Sequence, residues 1–154
     1  MKKPNEILVS VVIPTYSRND MLERAINCAL AQTHKNIEVI VVDDNPSDSE
    51  YRKMAEAIMQ KYKDDSRVRY IQNPENLGGA GARNVGIEAS KGAYIAFLDD
   101  DDEYYPTKVE KQLDVFLNST SDKLALVYCD VEHANRNGQV DCVIKAKYKG
   151  NCLY

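Results

Sequence analysis

Apolar runs of strand length recur along this chain. Each is followed by a polar turn and then by a segment whose apolar positions return every three or four residues. The first run, Ile7-Leu-Val-Ser-Val-Val-Ile13, is rich in β-branched residues, the pattern of a strand covered on both faces. After Pro14-Thr-Tyr-Ser-Arg-Asn19 a helix is predicted from about Asp20, with Asp20 and Glu23 as a capping box and Met21, Leu22, Ala25, Ile26, Ala29 and Leu30 on one face. Ile37-Glu-Val-Ile-Val-Val42 is the second strand and runs into the turn-rich Asp43-Asp-Asn-Pro-Ser-Asp48. A helix over residues 49–62 carries Met54, Ala55, Ile58 and Met59 on one side. Val68-Arg-Tyr-Ile-Gln72 is the third strand. A glycine-rich loop and a helix over residues 80–90, ended by Lys91-Gly92, lead to the fourth strand, residues 93–98. Thr107 and Glu110 form a second capping box ahead of Val109, Leu113, Phe116 and Leu117, and residues 124–129 read as a fifth strand. Two short runs flanking Asn135-Arg-Asn-Gly138 predict a β-hairpin near the C-terminus. Alternating strands and helices imply an α/β, Rossmann-like, mostly parallel sheet with helices on both faces.

Composition narrows the partners. The 154 residues suit a single domain, 1–154, with a real core; the net charge of −4 and the lack of a dense Lys/Arg stripe argue against nucleic acid. The longest apolar runs are strand-sized, so no transmembrane segment is expected, and Met1-Lys-Lys-Pro-Asn-Glu6 does not begin like a signal peptide. The four cysteines, Cys28, Cys129, Cys142 and Cys152, show no Cys-x-x-Cys spacing, and free thiols in a cytoplasmic protein are the simplest reading.

The chemistry collects where strands end. Asp99-Asp-Asp-Asp102 follows the fourth strand directly. Two like charges ~4 Å apart repel by ~4 kcal/mol at an effective dielectric of ~20, so such a run calls for a counter-charge, and a divalent cation with oxygen ligands would supply it. A solvated acidic turn is the alternative for an isolated run. Here three more unusual stretches, Pro14-Thr-Tyr-Ser-Arg18, Asp43-Asp44 and Asn76-Leu-Gly-Gly-Ala-Gly-Ala-Arg-Asn84, fall at the same rim if the sheet is parallel. Taken singly, Asp43-Asp44 could merely cap a helix, and Gly78, Gly79 and Gly81 could merely turn the chain. A dinucleotide fingerprint from Gly79 meets Asn84 where its third glycine belongs and follows the wrong strand. An EF-hand loop from Asp99 would place Tyr104 where glycine is needed. His34 and His133 are assigned surface or turn positions and no chemistry.

Ser10-Val-Val-Ile-Pro-Thr-Tyr-Ser-Arg18, Val41-Val-Asp-Asp-Asn-Pro-Ser-Asp48, Ala82-Arg-Asn-Val-Gly-Ile87 and Phe97-Leu-Asp-Asp-Asp-Asp102 together resemble the successive signatures of family 2 glycosyltransferases, inverting enzymes of the GT-A fold. The resemblance covers about residues 8–130. It implies transfer of a sugar from a nucleotide-diphosphate sugar, most often UDP-linked, to a glycan or lipid-linked hydroxyl acceptor, with Mn²⁺ or Mg²⁺. Carried over residue by residue, it puts Pro14, Thr15, Tyr16 and Arg18 around base and ribose and gives Asp44 the uracil ring N–H. It sets Gly79, Arg83 and Asn84 near the diphosphate. The D-x-D motif maps onto Asp99-Asp100-Asp101, with Asp100 toward the ribose and Asp101 toward the metal; four consecutive aspartates keep Asp102 as a second candidate ligand. The family's carboxylate base lies well beyond the acidic motif. Asp130 and Asp141 come too early to match it, so the expectation is a donor-binding part whose acceptor-binding half follows Tyr154. A chain of that kind is expected to be incomplete for transfer, and its uncovered Cys142, Val143, Ile144 and Leu153 to favour self-association. A non-catalytic nucleotide-sugar-binding module would share every one of these motifs; an NAD-binding oxidoreductase is disfavoured by the misplaced glycines.

Overall fold

The computed structural model describes residues 4–18, 20–135 and 137–146. It divides into two compact units, residues 1–113 and 114–154. In the first, β1 (Val9–Thr15), β2 (Ile37–Asp43), β3 (Val68–Gln72) and β4 (Tyr94–Phe97) form a wholly parallel sheet in the order β3-β2-β1-β4. Between them run α1 (Leu22–Leu30), α2 (Glu50–Met59) with a 3-10 turn at Gln60–Tyr62, and α3 (Gly78–Ala89); α4 (Lys108–Asn118) follows β4.

The period-2 alternation of β1 and β2 sends side chains to two cores. Val9, Val11 and Ile13, with Ile37, Val39 and Val41, pack against Leu22, Ala25, Ile26 and Ala29 of α1, Ala55 and Met59 of α2, and Val109 and Leu113 of α4. On the other face Val12, Ile40 and Val42 meet Ala82 of α3, flanked by Ile71, Val85 and Ala89. Val11, Val12 and Ile13 are fully buried, and each such side chain contributes roughly 1.5–3 kcal/mol. Gly86 lets α3 sit against β1: a Cβ there would lie 3.0 Å from Cγ2 of Val12 and closer still to Cγ1. The chain builds away from β1 toward β2 and β3, then returns to pair β4 with its other side. That reversal makes the carboxyl ends of β1 and β4 a switch point, where open α/β sheets bind ligands.

Several local expectations shift. β1 starts two residues later than predicted and continues through Pro14 and Thr15, which take the register positions opposite Val42 and Asp43. The Asp20–Glu23 capping box does not form: α1 begins at Leu22 with Met21 as a cap that offers no side-chain bond, and Glu23 is 2.6 Å from Lys61 Nζ. Ser49 does cap α2, accepting from Arg52 N–H at 3.1 Å, but Met54 is exposed rather than on the apolar face. Glu110, expected to bond back to its helix start, accepts instead from Thr33 Oγ at 2.6 Å. No helix among the described residues is long and apolar enough to cross a membrane.

In the second unit β5 (Val131–Ala134) and β6 (Val140–Ile144) form the expected antiparallel hairpin, with an irregularity between His133 and Ala134. Residues 124–129 form no strand; Leu126 and Tyr128 are exposed. A strand exists through its ladder partner, and none among the described residues pairs with this apolar run. Cys142, Val143 and Ile144 are exposed, while Leu153 lies outside the described residues.

Candidate functional site

At the switch point the segments that follow three parallel strands and the start of α3 enclose a cleft of about 320 Å³. Pro14, Thr15, Tyr16 and Arg18 come from the end of β1, and Asp44 from the residue after β2. Gly79 and Arg83 come from α3, and Asp99 and Asp100 follow β4. These are nine of the predicted site residues, gathered from four separate stretches of sequence. Asn84 does not line the cleft; it is exposed on α3, one position past Arg83. Asp101 and Asp102 also stand off the wall, Asp102 exposed and Asp101 engaged by Arg18. Asn76, Gly78 and Ala82 complete the lining and were not predicted as site residues, although they lie in or beside the glycine-rich stretch.

The walls are held by buried polar bonds. Asp44 is 2% exposed, and its Oδ1 accepts from Asn73 Nδ2 at 2.7 Å and from the Leu77 N–H at 2.9 Å. Both donors among the described residues use one oxygen, which leaves Oδ2 for a ligand. Asp43, its fully buried neighbour, is a scaffold instead. It accepts from Asn45 N–H at 2.9 Å, Asn45 Nδ2 at 2.7 Å and the Tyr70 hydroxyl. Arg52, also buried, lies 3.5 Å from Asp43 and donates to the carbonyls of Asn45 and Asn73. Burial and the Asp43 carboxylate both push the Tyr70 phenol well above its ordinary range, so it stays a donor. Asn45 Oδ1 in turn accepts from Ser17 N–H at 2.7 Å. Ser17 has φ of 55°, a left-handed turn that L-residues rarely adopt and that sets Tyr16 and Arg18 on either side of it. Nothing in the local pattern around Arg52 or Asn73 signals these roles, because their partners lie 21 positions apart or more from them in the Arg52–Asn73 and Asn73–Asp44 bonds.

The acidic run is partly answered by arginine. Arg18 bonds Asp101 and reaches to 3.7 Å of Asp100, and Arg83 bonds Asp99 while donating to the Gly79 carbonyl at 3.2 Å. Asp100 is 4% exposed and accepts from Thr15 Oγ at 2.7 Å. Burial, helped by the charge of Asp101, still holds its pKa above the usual carboxylate range against the bonds from Thr15 and the Tyr16 N–H and the charge of Arg18. Asp102 is raised too, by desolvation and by its neighbours Asp101 and Asp99. Both shifts come first from burial, and a nearby cation would oppose them. The available donors are carboxylate oxygens, suited to Mg²⁺ or Mn²⁺. Among the described residues no three of these aspartates bring ligand atoms within 4.8 Å of one another; the exposed His133, Asp141 and Cys142 of the second unit do. The run therefore fits an ion that takes one or two carboxylates and fills its shell from a ligand's phosphates.

Two histidine assignments change in part. His34 is buried, 5% exposed, with Nε2 2.9 Å from the Ile7 carbonyl, a packed core position rather than a surface one. His133 is exposed as expected but pairs with Asp141 at 2.7 Å, and that bond lowers the Asp141 pKa, making it a weaker base.

Comparison with known proteins finds several likenesses. The profile of the family described as "Glycosyl transferase family 2" matches residues 10–140. An uncharacterized glycosyltransferase of Rickettsia bellii (strain RML369-C) is 44% identical over 132 residues, 86% of this chain and 18% of its own length. The Escherichia coli protein named UDP-Glc:alpha-D-GlcNAc-diphosphoundecaprenol beta-1,3-glucosyltransferase WfaP is 42% identical over 106 residues, 69% of this chain and 40% of its own length. Among solved structures, S. aureus TarS 1-349 in complex with UDP-GlcNAc superposes with a TM-score of 0.56 at 28% identity, over 71% of this chain and 31% of that one. The chain thus spans less than half the length of each of these relatives.

Proposed function

This chain belongs to glycosyl transferase family 2, and from that premise we propose that it forms the donor-binding part of an inverting glycosyltransferase of hexosyltransferase type. The donor is a nucleotide-diphosphate sugar, UDP-linked, and the acceptor a hydroxyl of a glycan or lipid-linked glycan. One observation carries the reading: a single cleft at the sheet's switch point joins Asp44, with one carboxylate oxygen to spare, to two arginines and the acidic run after β4. TarS was solved with UDP-GlcNAc, and the WfaP name specifies a UDP-glucose donor and a diphosphoundecaprenol-linked acceptor; both likenesses support the donor and acceptor classes. Work on such an acceptor belongs to cell-surface polysaccharide synthesis. The free Cys28, Cys129 and Cys142 agree with a cytoplasmic setting.

In this reading Tyr16, half exposed at the cleft, stacks on uracil while Asp44 accepts its ring N–H. Asp100, fixed by Thr15, faces the ribose. Arg83 meets the diphosphate as a planar guanidinium fork, and Arg18, expected at base and ribose, is turned toward the acidic run by its bond to Asp101 and meets the diphosphate from there. Asp101, with Asp102 beside it, holds Mn²⁺ or Mg²⁺, which when bound neutralises charge on the departing nucleoside diphosphate. Inversion also needs a carboxylate to deprotonate the acceptor; we assign that base to no residue of this chain.

Calorimetry with UDP, GDP, dTDP and NAD, each with and without Mn²⁺, tests the reading. UDP with Mn²⁺ should bind best. Tight NAD binding without metal would replace the reading with a dinucleotide site. A non-catalytic binding module would pass this screen, and transfer from UDP-sugars by the full-length protein separates the two.

A further inference from the structure

We infer that Arg18 and Arg83 are resident counter-cations of the metal site, displaced from it by the nucleotide, so that this chain takes up metal weakly until a diphosphate arrives. The inference rests on the donor-site reading above and concerns how that site is switched. Arg18 bonds Asp101, the same carboxylate proposed for the metal, and stands 3.7 Å from Asp100; Arg83 bonds Asp99. Metal and the Arg18 guanidinium therefore compete for the same Asp101 oxygens, while Arg83 offsets the charge of Asp99 beside them.

Neither arginine is locked in place. The Arg18 side chain is 59% exposed and, among the described residues, forms ion pairs with Asp100 and Asp101 only, while that of Arg83 is 35% exposed and, among the described residues, is otherwise bonded only to the Gly79 carbonyl. Their backbones are anchored, Arg18 through the neighbouring Ser17 N–H bonded to Asn45 Oδ1 at 2.7 Å and Arg83 within α3, so the guanidiniums can swing without moving the loop. Both also line the cleft. A diphosphate offers them bidentate oxygen pairs that carry more charge than one carboxylate. As they turn to it, Asp101 is freed for the metal and the negative charge of Asp99 beside it is uncovered. Each ligand thereby raises the affinity of the other by the same factor.

The experiment measures Mn²⁺ binding by calorimetry and by the EPR signal of free Mn²⁺, with and without UDP, in the wild type, Arg18→Gln and Arg83→Gln. UDP should tighten Mn²⁺ binding at least about tenfold in the wild type, a coupling of ordinary size. Arg18→Gln should bind Mn²⁺ alone about fivefold more tightly, the upper range for releasing an exposed ion pair, while binding UDP more weakly. Arg83→Gln should change in the same directions, and circular dichroism melts confirm that each variant is folded. Mn²⁺ affinity without nucleotide that is unchanged or reduced in both variants would overturn the inference, as would the absence of Mn²⁺ binding in every protein. If UDP fails to bind the wild type under any condition, the donor-site reading itself falls; if UDP and Mn²⁺ bind but the variants gain no metal affinity, only the counter-cation role falls.

Discussion

Replacing Asp44 by asparagine separates the proposed base reading from loop support, because the two would use different oxygens. The internal donors, Asn73 Nδ2 at 2.7 Å and Leu77 N–H at 2.9 Å, both meet Oδ1. An asparagine carbonyl keeps that position and both bonds, so the segment carrying Asn76 and Gly78 stays in place. The bonds lose their charge assistance, and the stability cost should be about 1 kcal/mol. At Oδ2 the change is a reversal: an NH₂ donor now faces the uracil ring N–H. Losing a charge-assisted bond of ~1.5–3 kcal/mol corresponds to roughly 10- to 100-fold weaker UDP binding. Cytosine carries a lone pair where uracil carries that N–H, so CDP should gain what UDP loses. Titrating wild type and Asp44→Asn with UDP, CDP and pyrophosphate in the presence of Mn²⁺ reads all three effects. An unchanged UDP-to-CDP ratio would refute the base-reading role. Equal losses for both nucleotides and pyrophosphate would show that Asp44 acts through the loop. Asp44→Ala cannot make this distinction, since it strands the donors of Asn73 and Leu77 in a site only 2% exposed.

Three further outcomes are expected. EDTA should weaken UDP binding to the wild type, and Asp101→Ala should abolish that sensitivity while costing more than tenfold in affinity, ~1.4 kcal/mol; equal affinity with and without EDTA in the wild type rules the metal out. Glu38 lies below the usual glutamate range because, against the opposing effect of its burial, it accepts from Ser10 Oγ and Lys91 N–H, both at 2.7 Å, and sits 3.5 Å from Arg69. A depressed folded pKa adds stability that is present above the unfolded pKa and lost as pH falls through the folded one. The Tm gap between wild type and Glu38→Gln should therefore be widest near neutrality and close in strong acid, and a gap that ignores pH would contradict this. Gly86→Ala should destabilise the fold by about 1–3 kcal/mol in urea, by forcing a methyl into Val12 under α3; a neutral result would mean that α3 can lift off β1 freely.

The sequence by itself determined the sheet and its two-sided cover. Val9 to Ile13 and Ile37 to Val42 are apolar enough on both faces that only a central parallel position satisfies them, and the connecting helices follow from their apolar spacing. It also marked every stretch that reaches the cleft, because residues placed just after a buried strand in such a sheet must share one rim. Tertiary structure decided what local pattern cannot carry. Whether residues 124–129 become a strand depends on a partner edge, and whether Glu110 closes its own helix or accepts from Thr33 depends on a residue 77 positions away. Of two adjacent aspartates, Asp43 became buried scaffold and Asp44 the cleft acceptor, since alternation along β2 turns one toward Tyr70 and Arg52 and the next toward Asn73 and Leu77. The counter-charge of the acidic run was likewise a tertiary decision. The run demanded a cation, but only the fold could bring Arg18 across 83 positions of sequence to Asp101.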